Sequence, residues 1–374
     1  MPSYTIRELD ECISRSPGGD PAWVQIAPLQ QRPVKPPAFL LGDLPAEITY
    51  AIFGETATGP VRCYRLRQVR LTVDGIVLAG EDALCTILVN HPDYHVAAIM
   101  REMQDVLGNL PIRRVEGRAV MLTGPGSHIY GHWLVDMLPR LFVLAQCGHD
   151  LAALTFVVSA RLPAFCFQFL HLLGISEDQL IRHDDRGELL EVEELLLPTN
   201  LRRGSQIHPL MHQAVQFMCE RMQRAPPSAG SAARRRLFIS RRGGEPSRTP
   251  TNRVAIEAIA AAAGYEIVSP ETLAIPEQIA LFASATQVIG EYGSGLHSSV
   301  FSPPGTVVMA LRGTSHHPGF IQSGLGQVFR QPTGFVFSPT PIGAVDQVFT
   351  VSEDSFRLGL RCAGLLAQRA AEAA

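Results

Sequence analysis

The chain has 374 residues, of which 46% are hydrophobic and 18% are charged, and its formal net charge is −3. A chain of this length is expected to fold as two domains, because single hydrophobic cores stop growing at about 250 to 300 residues. The slight acidic excess argues against a nucleic-acid-binding surface, so any anionic ligand must be bound by local groups.

Lysine and cysteine usage exclude several kinds of site. Lys35 is the only lysine, which removes a phosphate-binding loop of the GK[ST] type and leaves phosphates to arginines and backbone amides. The seven cysteines show no C-x-x-C spacing, so we expect buried thiols in a reducing compartment and no zinc site. We find no signal sequence and no apolar run of about 18 residues, and we expect a cytoplasmic protein. Peripheral association with the inner face of the membrane stays open.

Strand and helix patterns change several times along the chain. Early prolines and then short alternating runs, with a hairpin signal at Asp74-Gly75, predict an irregular and β-rich start. Later segments alternate strands with helices, which is typical of parallel α/β domains. The predicted divisions are an N-terminal β-rich subdomain at 1–115, an α/β domain at 116–224, a linker at 225–234, a second α/β domain at 235–350 and a C-terminal helix at 351–374.

The segment GPGSHIYGHWLVDMLPRL places four polar side chains at a spacing of four in an otherwise apolar stretch. They are His128, His132, Asp136 and Arg140. Residues four apart lie on one stripe of a helix. A helix buried on its other sides tolerates such a stripe only where the charges are paired or open onto a cleft.

Two interpretations of this stripe stay open. Asp136 and Arg140 can form a structural ion pair with His132 in the core, or Asp136 and His132 can form an acid/base pair. Pro139 cannot donate a backbone hydrogen bond, so the helix is expected to kink or stop where the charges lie. An irregular helix at charged residues favours the acid/base interpretation.

A glycine-rich turn, GEYGSGLHSSVFSPPG, follows the predicted strand TQVIG. Gly290, Gly293 and Gly295 allow a tight turn, and the helix that follows would offer unpaired N–H groups to an anion. The spacing is neither G-x-G-x-x-G nor G-x-S-x-G, which disfavours a dinucleotide enzyme and a hydrolase with Ser294 as nucleophile. The alternative is a turn with a structural role only.

An arginine-rich loop, FISRRGGEPSRTPTN, follows another predicted strand. Arg241, Arg242 and Arg248 could bind a diphosphate by bidentate contacts. The alternative is a solvated surface loop, in which Asn252 only caps the next helix. Because both loops follow strands of one predicted parallel sheet, they would open at the same edge and favour one large anionic ligand.

These blocks resemble glycosyltransferase family 61 and its bacterial relatives, including enzymes of capsular polysaccharide biosynthesis. The resemblance covers roughly residues 115 to 312 and rests on GHWLVDMLPRL, on FISRR with Arg248 and Asn252, and on VIGEYGSGLHSSVFSPPGTVV, in that order. It implies an α/β fold of the GT-B type, with a pair of Rossmann-type domains facing a cleft. It also implies an inverting, metal-independent transfer from a nucleotide-activated sugar such as a UDP-sugar, with no cofactor.

The resemblance also implies site residues, with Asp136 as the base assisted by His132. The donor diphosphate would be held by Arg241, Arg248, Gly293, Ser294 and Gly295, and His128, Tyr292, His297 and Asn252 are further candidate ligand contacts. Tyr292 stands where the family commonly has histidine, and Ala310-Leu311 where a glutamate often ends the next strand.

The function predicted from the sequence is transfer of a sugar to a hydroxyl of a glycan or another acceptor. The alternatives are a sugar-nucleotide epimerase on the same fold, which would convert the nucleotide sugar without an acceptor, and a non-catalytic carbohydrate-binding protein.

Overall fold

The computed structural model describes residues 4–13, 22–42, 57–86, 88–89, 92–223, 235–241, 249–313, 321–338 and 349–372. Three predicted features lie outside the described residues: the linker at 225–234 and the candidate diphosphate-binding residues Arg242 and Arg248.

Strands and short helices alternate through the described chain. The strands are β1 Thr5–Glu8, β2 Trp23–Ala27, β3 Gln30–Gln31, β4 Phe39–Leu41, β5 Ala57–Thr58, β6 Val61–Leu71, β7 Val77–Ala79, β8 Asp82–Cys85, β9 Ile112–Met121, β10 Thr155–Ser159, β11 Leu180–His183, β12 Leu189–Pro198, β13 Arg202–Arg203, β14 Gln206–Ile207, β15 Arg235–Ile239, β16 Glu266–Val268, β17 Ala285–Glu291, β18 Val307–Gly313 and β19 Thr333–Ser338. The α-helices are α1 Leu9–Ile13, α2 Asp93–Met103, α3 Tyr130–His132, α4 Pro139–Gln146, α5 Ala164–Leu172, α6 Leu210–Arg221, α7 Arg253–Ala262, α8 Ile275–Ala283, α9 Ser294–His297, α10 Ile321–Phe329 and α11 Glu353–Glu372.

The chain divides into two compact units that are not continuous in sequence. Unit 1 comprises Met1–Gln30 and Gly59–Arg203, and unit 2 comprises Gln31–Thr58 and Gly204–Ala374. This division differs from the predicted boundaries. Early residues contribute to both units, because the strand β4 pairs in parallel with β19 in unit 2. The division near residue 203 also precedes α6, which the sequence pattern assigned to the first α/β domain.

Unit 1 contains a nine-stranded mixed sheet. Its order is β1-β8-β7-β6-β12-β9-β10-β11, with β2 paired to β6. The strands β12, β9, β10 and β11 are parallel to one another. On its other side, β12 pairs antiparallel with β6. The predicted N-terminal subdomain is therefore not a separate sheet, and unit 1 is not a purely parallel Rossmann-type domain. The pairing of β6 with β12 places Leu71 opposite Leu190 and Val69 opposite Val192, and all four side chains belong to one hydrophobic core.

Unit 2 contains a six-stranded sheet of order β16-β15-β17-β18-β19-β4, in which every neighbouring pair is parallel. Parallel strands covered by helices explain the apolar run 307–311 of β18, a strand whose residues are all buried. The chain passes from β15 outward to β16 and then back to β17 on the other side of β15. The carboxyl ends of β15 and β17 thus flank the point where strand order reverses, which is where open α/β sheets bind ligands.

Each unit has its own hydrophobic core. In unit 1, α4 packs against β6 and β12, and the core includes Leu71, Leu190 and Leu195. In unit 2, the long helix α11 packs against β17, β18 and β19 and contributes the buried Phe356. None of the described helices is both long and apolar enough to cross a membrane.

Candidate active site

The helix that carries the polar stripe is interrupted by a π-helical turn. After α3, residues Trp133–Met137 form the turn, and the Leu138 N–H donates to the Trp133 carbonyl at 2.9 Å. The helix then continues as α4, with Pro139 at its first position. A proline lacks the N–H that an α-helix needs, and the wider turn absorbs this loss without ending the helix. The irregularity predicted at the charges is therefore a π turn, a feature frequent at functional sites.

Asp136 lies in this π turn and is the centre of a charged cluster in unit 1. Arg202 donates to it in a bidentate manner, from Nε to Oδ1 at 2.7 Å and from Nη2 to Oδ2 at 2.7 Å. The His132 Nδ1 is 2.8 Å from Oδ2. Asp136 is buried, and both of its carboxylate oxygens are engaged inside the protein.

The topology of unit 1 explains why Arg202 reaches Asp136. Arg202 follows the carboxyl end of β12, and the loop that leads to the helix of Asp136 follows the carboxyl end of β9. These strands are parallel neighbours, so both connections leave the sheet at the same edge. The sequence separation of 66 residues is bridged by the sheet.

Charges hold Asp136 ionised. Burial tends to raise the pKa of its carboxyl group, but the charge of Arg202 and the hydrogen bonds from His132 and Arg202 outweigh burial. The net effect holds the pKa of Asp136 well below its ordinary value. A carboxylate held in this way is a weak proton acceptor.

The ring of His132 is held on one side by Asp136 and on the other by the loop before the helix. A Cβ atom on Gly126 would lie 2.8 Å from His132 Cδ2 and 2.9 Å from Cγ, so the bare Cα of this glycine packs directly on the imidazole. The His132 side chain is 36% exposed. No hydrogen bond from the described residues reaches its Nε2, which leaves that nitrogen available to a ligand.

Replacing Gly126 by alanine is expected to lower turnover about tenfold or more, because the new methyl group would displace the His132 ring. Gly117→Ala is the matched control. Gly126 has φ +68° and Gly117 has φ +71°, but a Cβ at Gly117 would have no atom within 4 Å. Both variants should lose similar stability through backbone strain. Equal turnover in the two variants would show that the Gly126 contact does not position the ring.

Two members of the predicted stripe lie elsewhere. The α-helix begins only at Tyr130, after a turn in which the Ile129 N–H donates to the Gly126 carbonyl, so His128 precedes the helix and is exposed. Arg140 follows the π turn, which shifts the helical phase. The stripe of four is therefore wrong, and only His132 and Asp136 of it come together.

Arg140 is fully buried but does not form the ion pair with Asp136 that the spacing allowed. Its guanidinium donates to the carbonyls of Val89 and Thr123 at 2.5 and 3.2 Å and to Asn200 Oδ1 at 2.9 Å. Burial lowers the pKa of Arg140 to about 10, against the opposing charge of Asp136. Arg140 thus holds chain segments together around the site.

In unit 2, the arginine loop and the glycine turn meet at the point where the strand order reverses. Arg241 follows β15, and the glycine turn follows β17, its parallel neighbour. A Cβ on Gly293 would lie 3.2 Å from Arg241 Nη1, so the guanidinium packs against the turn. The structure brings these two sequence features together, as their positions after adjacent strands predict.

Close packing accounts for two of the glycines. A Cβ on Gly290 would lie 2.3 Å from the Ile239 carbonyl oxygen, and one on Gly295 would lie 3.2 Å from Ile239 Cγ2. Ser294, which is half-buried, begins α9, and this helix spans only four residues before a 3-10 turn at Ser298–Phe301. Its dipole is small, so an anion at this turn would depend on Arg241 and on local N–H groups.

Glu291, at the end of β17, is a buried carboxyl group beside these arginines. It is 1% exposed, and neither of its oxygens accepts a hydrogen bond of ordinary geometry from the described residues. Burial raises the pKa of Glu291 to about 7, while the charges of Arg241 and Arg253 oppose this effect. Near neutral pH this group is able to donate or accept a hydrogen bond.

The remaining candidate contacts of unit 2 have partners within the protein. His297 is buried, with Nδ1 3.2 Å from Gln322 Oε1. The side chain of Asn252 donates to the Val351 carbonyl and accepts from the Val351 N–H, and it makes no capping hydrogen bond to α7. Tyr292 lies under the guanidinium of Arg312, whose Cζ is 4.8 Å from the ring centroid. Of these three, only half-buried Tyr292 adjoins the Arg241 turn.

Sequence reasoning missed several charged residues of these clusters. Arg202 and Arg312 each stand at or just after the carboxyl end of a strand, and that position was the available signal. The sequence predicted that β18 would end at Ala310-Leu311, whereas the strand continues to Gly313 and includes Arg312. Glu291 ends β17 beside the glycine turn, and its burial gives no signal in the sequence. Among the described residues, no group of three or more His, Cys, Asp or Glu could hold a metal ion.

Comparison with known protein families matches a stretch of the chain that contains both clusters. The model of the family described as Glycosyltransferase 61 matches residues 130–309. The matched stretch includes His132, Asp136, Arg202, Arg241 and the glycine turn, and it ends within β18. A comparison with curated proteins finds no match to the chain.

Proposed function

The chain is a glycosyltransferase family 61-like protein, and we propose that it transfers a sugar from a nucleotide-activated donor, a UDP-sugar, to a hydroxyl group of a glycan acceptor. The transfer inverts the configuration at the sugar carbon and uses no metal ion. The proposal includes a GT-B-type arrangement with the acceptor chemistry in unit 1 and the donor in unit 2, and a cytoplasmic location.

The pair formed by His132 and Asp136 is the observation that carries this proposal. Transfer to a hydroxyl requires removal of the hydroxyl proton as the oxygen attacks the sugar carbon. An imidazole that is 36% exposed and hydrogen-bonded to a buried carboxylate forms an acid/base pair suited to this step. A non-catalytic carbohydrate-binding protein would have no need for it.

On the donor side, the proposal assigns the diphosphate to Arg241, Gly293, Ser294 and Gly295, together with Arg248. The leaving diphosphate carries negative charge, and bidentate arginine contacts and backbone N–H groups stabilise such charge. The contact between Arg241 and Gly293 supports a common role for these loops.

Binding of UDP by unit 2 is expected to raise the midpoint of thermal unfolding by about 5 to 10 °C at a ligand concentration of about 100 times Kd. Arg241→Ala should weaken binding about 10- to 100-fold, because it removes charged hydrogen bonds to phosphate. Arg361→Ala is the matched control, since Arg361 is an exposed arginine of the same unit.

The nucleotide is identified by measuring the thermal shift that each of UDP, GDP, CDP and ADP produces. Equal binding by both variants would remove Arg241 from the donor site.

A transfer assay separates the proposed activity from its alternatives. The protein is incubated with nucleotide sugars, with and without glycan acceptors, and in the presence of EDTA. Transfer requires the acceptor and continues in EDTA. Conversion of the nucleotide sugar without an acceptor would indicate an epimerase, and loss of transfer in EDTA would contradict metal independence.

A further inference from the structure

We propose that, within the catalytic pair, the Nε2 atom of His132 takes the proton of the acceptor hydroxyl, whereas Asp136 and Arg202 are positioning residues. This inference rests on the proposed function and assigns the roles within its site. It reverses the roles that the sequence resemblance implies, in which Asp136 is the base and His132 assists it.

The hydrogen bonds of Asp136, together with its burial, disfavour an approach of the acceptor hydroxyl to its oxygens. Arg202 occupies one position on each oxygen at 2.7 Å, and His132 Nδ1 occupies Oδ2 as well. The carboxylate side chain is 3% exposed, so a hydroxyl group could not approach it without displacing Arg202 or the ring. Proton transfer needs a heavy-atom separation of about 2.6 to 3.2 Å.

The geometry of His132 points to the opposite role. A carboxylate that stays ionised accepts a hydrogen bond and does not donate one, so the Nδ1 of His132 carries the proton of that bond. The neutral ring then has its lone pair on Nε2, the nitrogen without a partner among the described residues. Packing of Gly126 on the ring restricts rotation and fixes the direction of this lone pair.

Arg202 controls the charge of the pair. It keeps Asp136 ionised and, through its own positive charge, limits how strongly the carboxylate attracts a second proton to the imidazole. The titratable and charged groups of the surrounding elements are Asp136, which binds the ring from its own helix, Arg202 of β13, which binds the same carboxylate, and the exposed His128 in the loop before the helix. Arg140 lies behind Asp136 and interacts with its charge.

The balanced step has four parts. The acceptor oxygen forms a bond to the sugar carbon, and its proton moves to Nε2 of His132. The bond from the sugar carbon to the phosphate oxygen breaks, and its electron pair leaves with the nucleoside diphosphate. The imidazolium that forms is stabilised by Asp136 and afterwards releases its proton to solvent.

The tautomer of His132 is measurable without any sugar transfer. Nitrogen NMR of the full protein with ¹⁵N-labelled histidine, assigned by comparison with His132→Gln, reports which ring nitrogen is protonated. We expect a protonated Nδ1 and an unprotonated Nε2 in the neutral ring. The opposite tautomer would overturn the inference. Because this readout needs neither donor nor acceptor, it is independent of whether the proposed transfer occurs.

The pH dependence of kcat/KM tests the catalytic assignment. His132→Gln should lower kcat at least a hundredfold and remove the acidic limb of the profile, whereas His171→Gln, an exposed histidine on α5 of the same unit, should leave both unchanged. A loss of less than tenfold with the acidic limb retained would assign the base to Asp136 and overturn the inference.

Arg202 is tested by the position of the same limb. Arg202→Met should move the acidic limb to higher pH by about one unit, because loss of a positive charge makes protonation of the imidazole more favourable. Arg202→Lys should return the limb close to its original position. A limb that does not move in folded Arg202→Met would show that Arg202 is structural only.

Discussion

Replacing Asp136 by asparagine is expected to lower turnover at least a hundredfold while binding of the nucleotide sugar is retained. Asparagine keeps the size of the side chain but not its charge, so it neither fixes the proton on Nδ1 of His132 nor stabilises the imidazolium. General acid–base catalysis contributes about 10²- to 10⁴-fold to a rate. The acidic limb of the pH profile should also move to lower pH, because protonation of His132 becomes less favourable.

This expectation is tested by steady-state kinetics together with calorimetric titration of the donor. Asp105→Asn is the matched control, since Asp105 is an exposed aspartate of unit 1. Tryptophan fluorescence establishes that unit 1 is folded, because both tryptophans, Trp23 and Trp133, belong to it. Turnover near that of the unmodified protein in folded Asp136→Asn would contradict the assignment of this residue to the catalytic pair.

Replacing Arg140 by leucine is expected to destabilise unit 1 by about 3 to 5 kcal/mol. Leucine fills part of the space, but it leaves the carbonyl groups of Val89 and Thr123 and the side-chain oxygen of Asn200 without their donor. A buried polar group that loses its hydrogen bond costs about 1 to 3 kcal/mol. Several such losses at one site explain the size of the effect.

Urea unfolding followed by tryptophan fluorescence measures this change for unit 1 alone, since unit 2 contains no tryptophan. The control is Arg101→Leu, which changes an exposed arginine of α2 in the same unit and should alter stability by less than about 0.5 kcal/mol. If Arg140→Leu unfolds at the same urea concentration as Arg101→Leu, the buried guanidinium does not hold the surrounding segments together.

The spacing of four in the polar stripe predicted one contact correctly and two positions wrongly. The i,i+4 spacing of His132 and Asp136 is a local property of a helix, and it predicted their contact correctly because four residues bring side chains together even at the start of a π turn. The same spacing predicted the wrong positions for His128 and Arg140. The first precedes the helix, and the second follows an extra backbone residue that a regular period does not anticipate.

In unit 2, the positions of residues after strands proved informative. Arg241 and Gly293 contact each other because their strands are parallel neighbours, and the alternation of strands and helices predicted such a sheet. The roles of individual residues did not follow. The side chain of Asn252 is bound to Val351 and that of His297 to Gln322, contacts that span 99 and 25 residues and leave no local pattern.

By itself the sequence determined the two α/β regions, most of their strands and helices, the contact between His132 and Asp136 and the glycine-rich turn after a strand, because each depends on residues close along the chain. Only the tertiary structure decided the composition of the units, the pairing of β6 with β12 and the partner of Asp136. Arg202 is 66 residues from Asp136, and its choice over the nearer Arg140 depends on which strands become neighbours. That choice is made by the packing of the whole sheet, and it determines which atom of the pair is left to accept a proton.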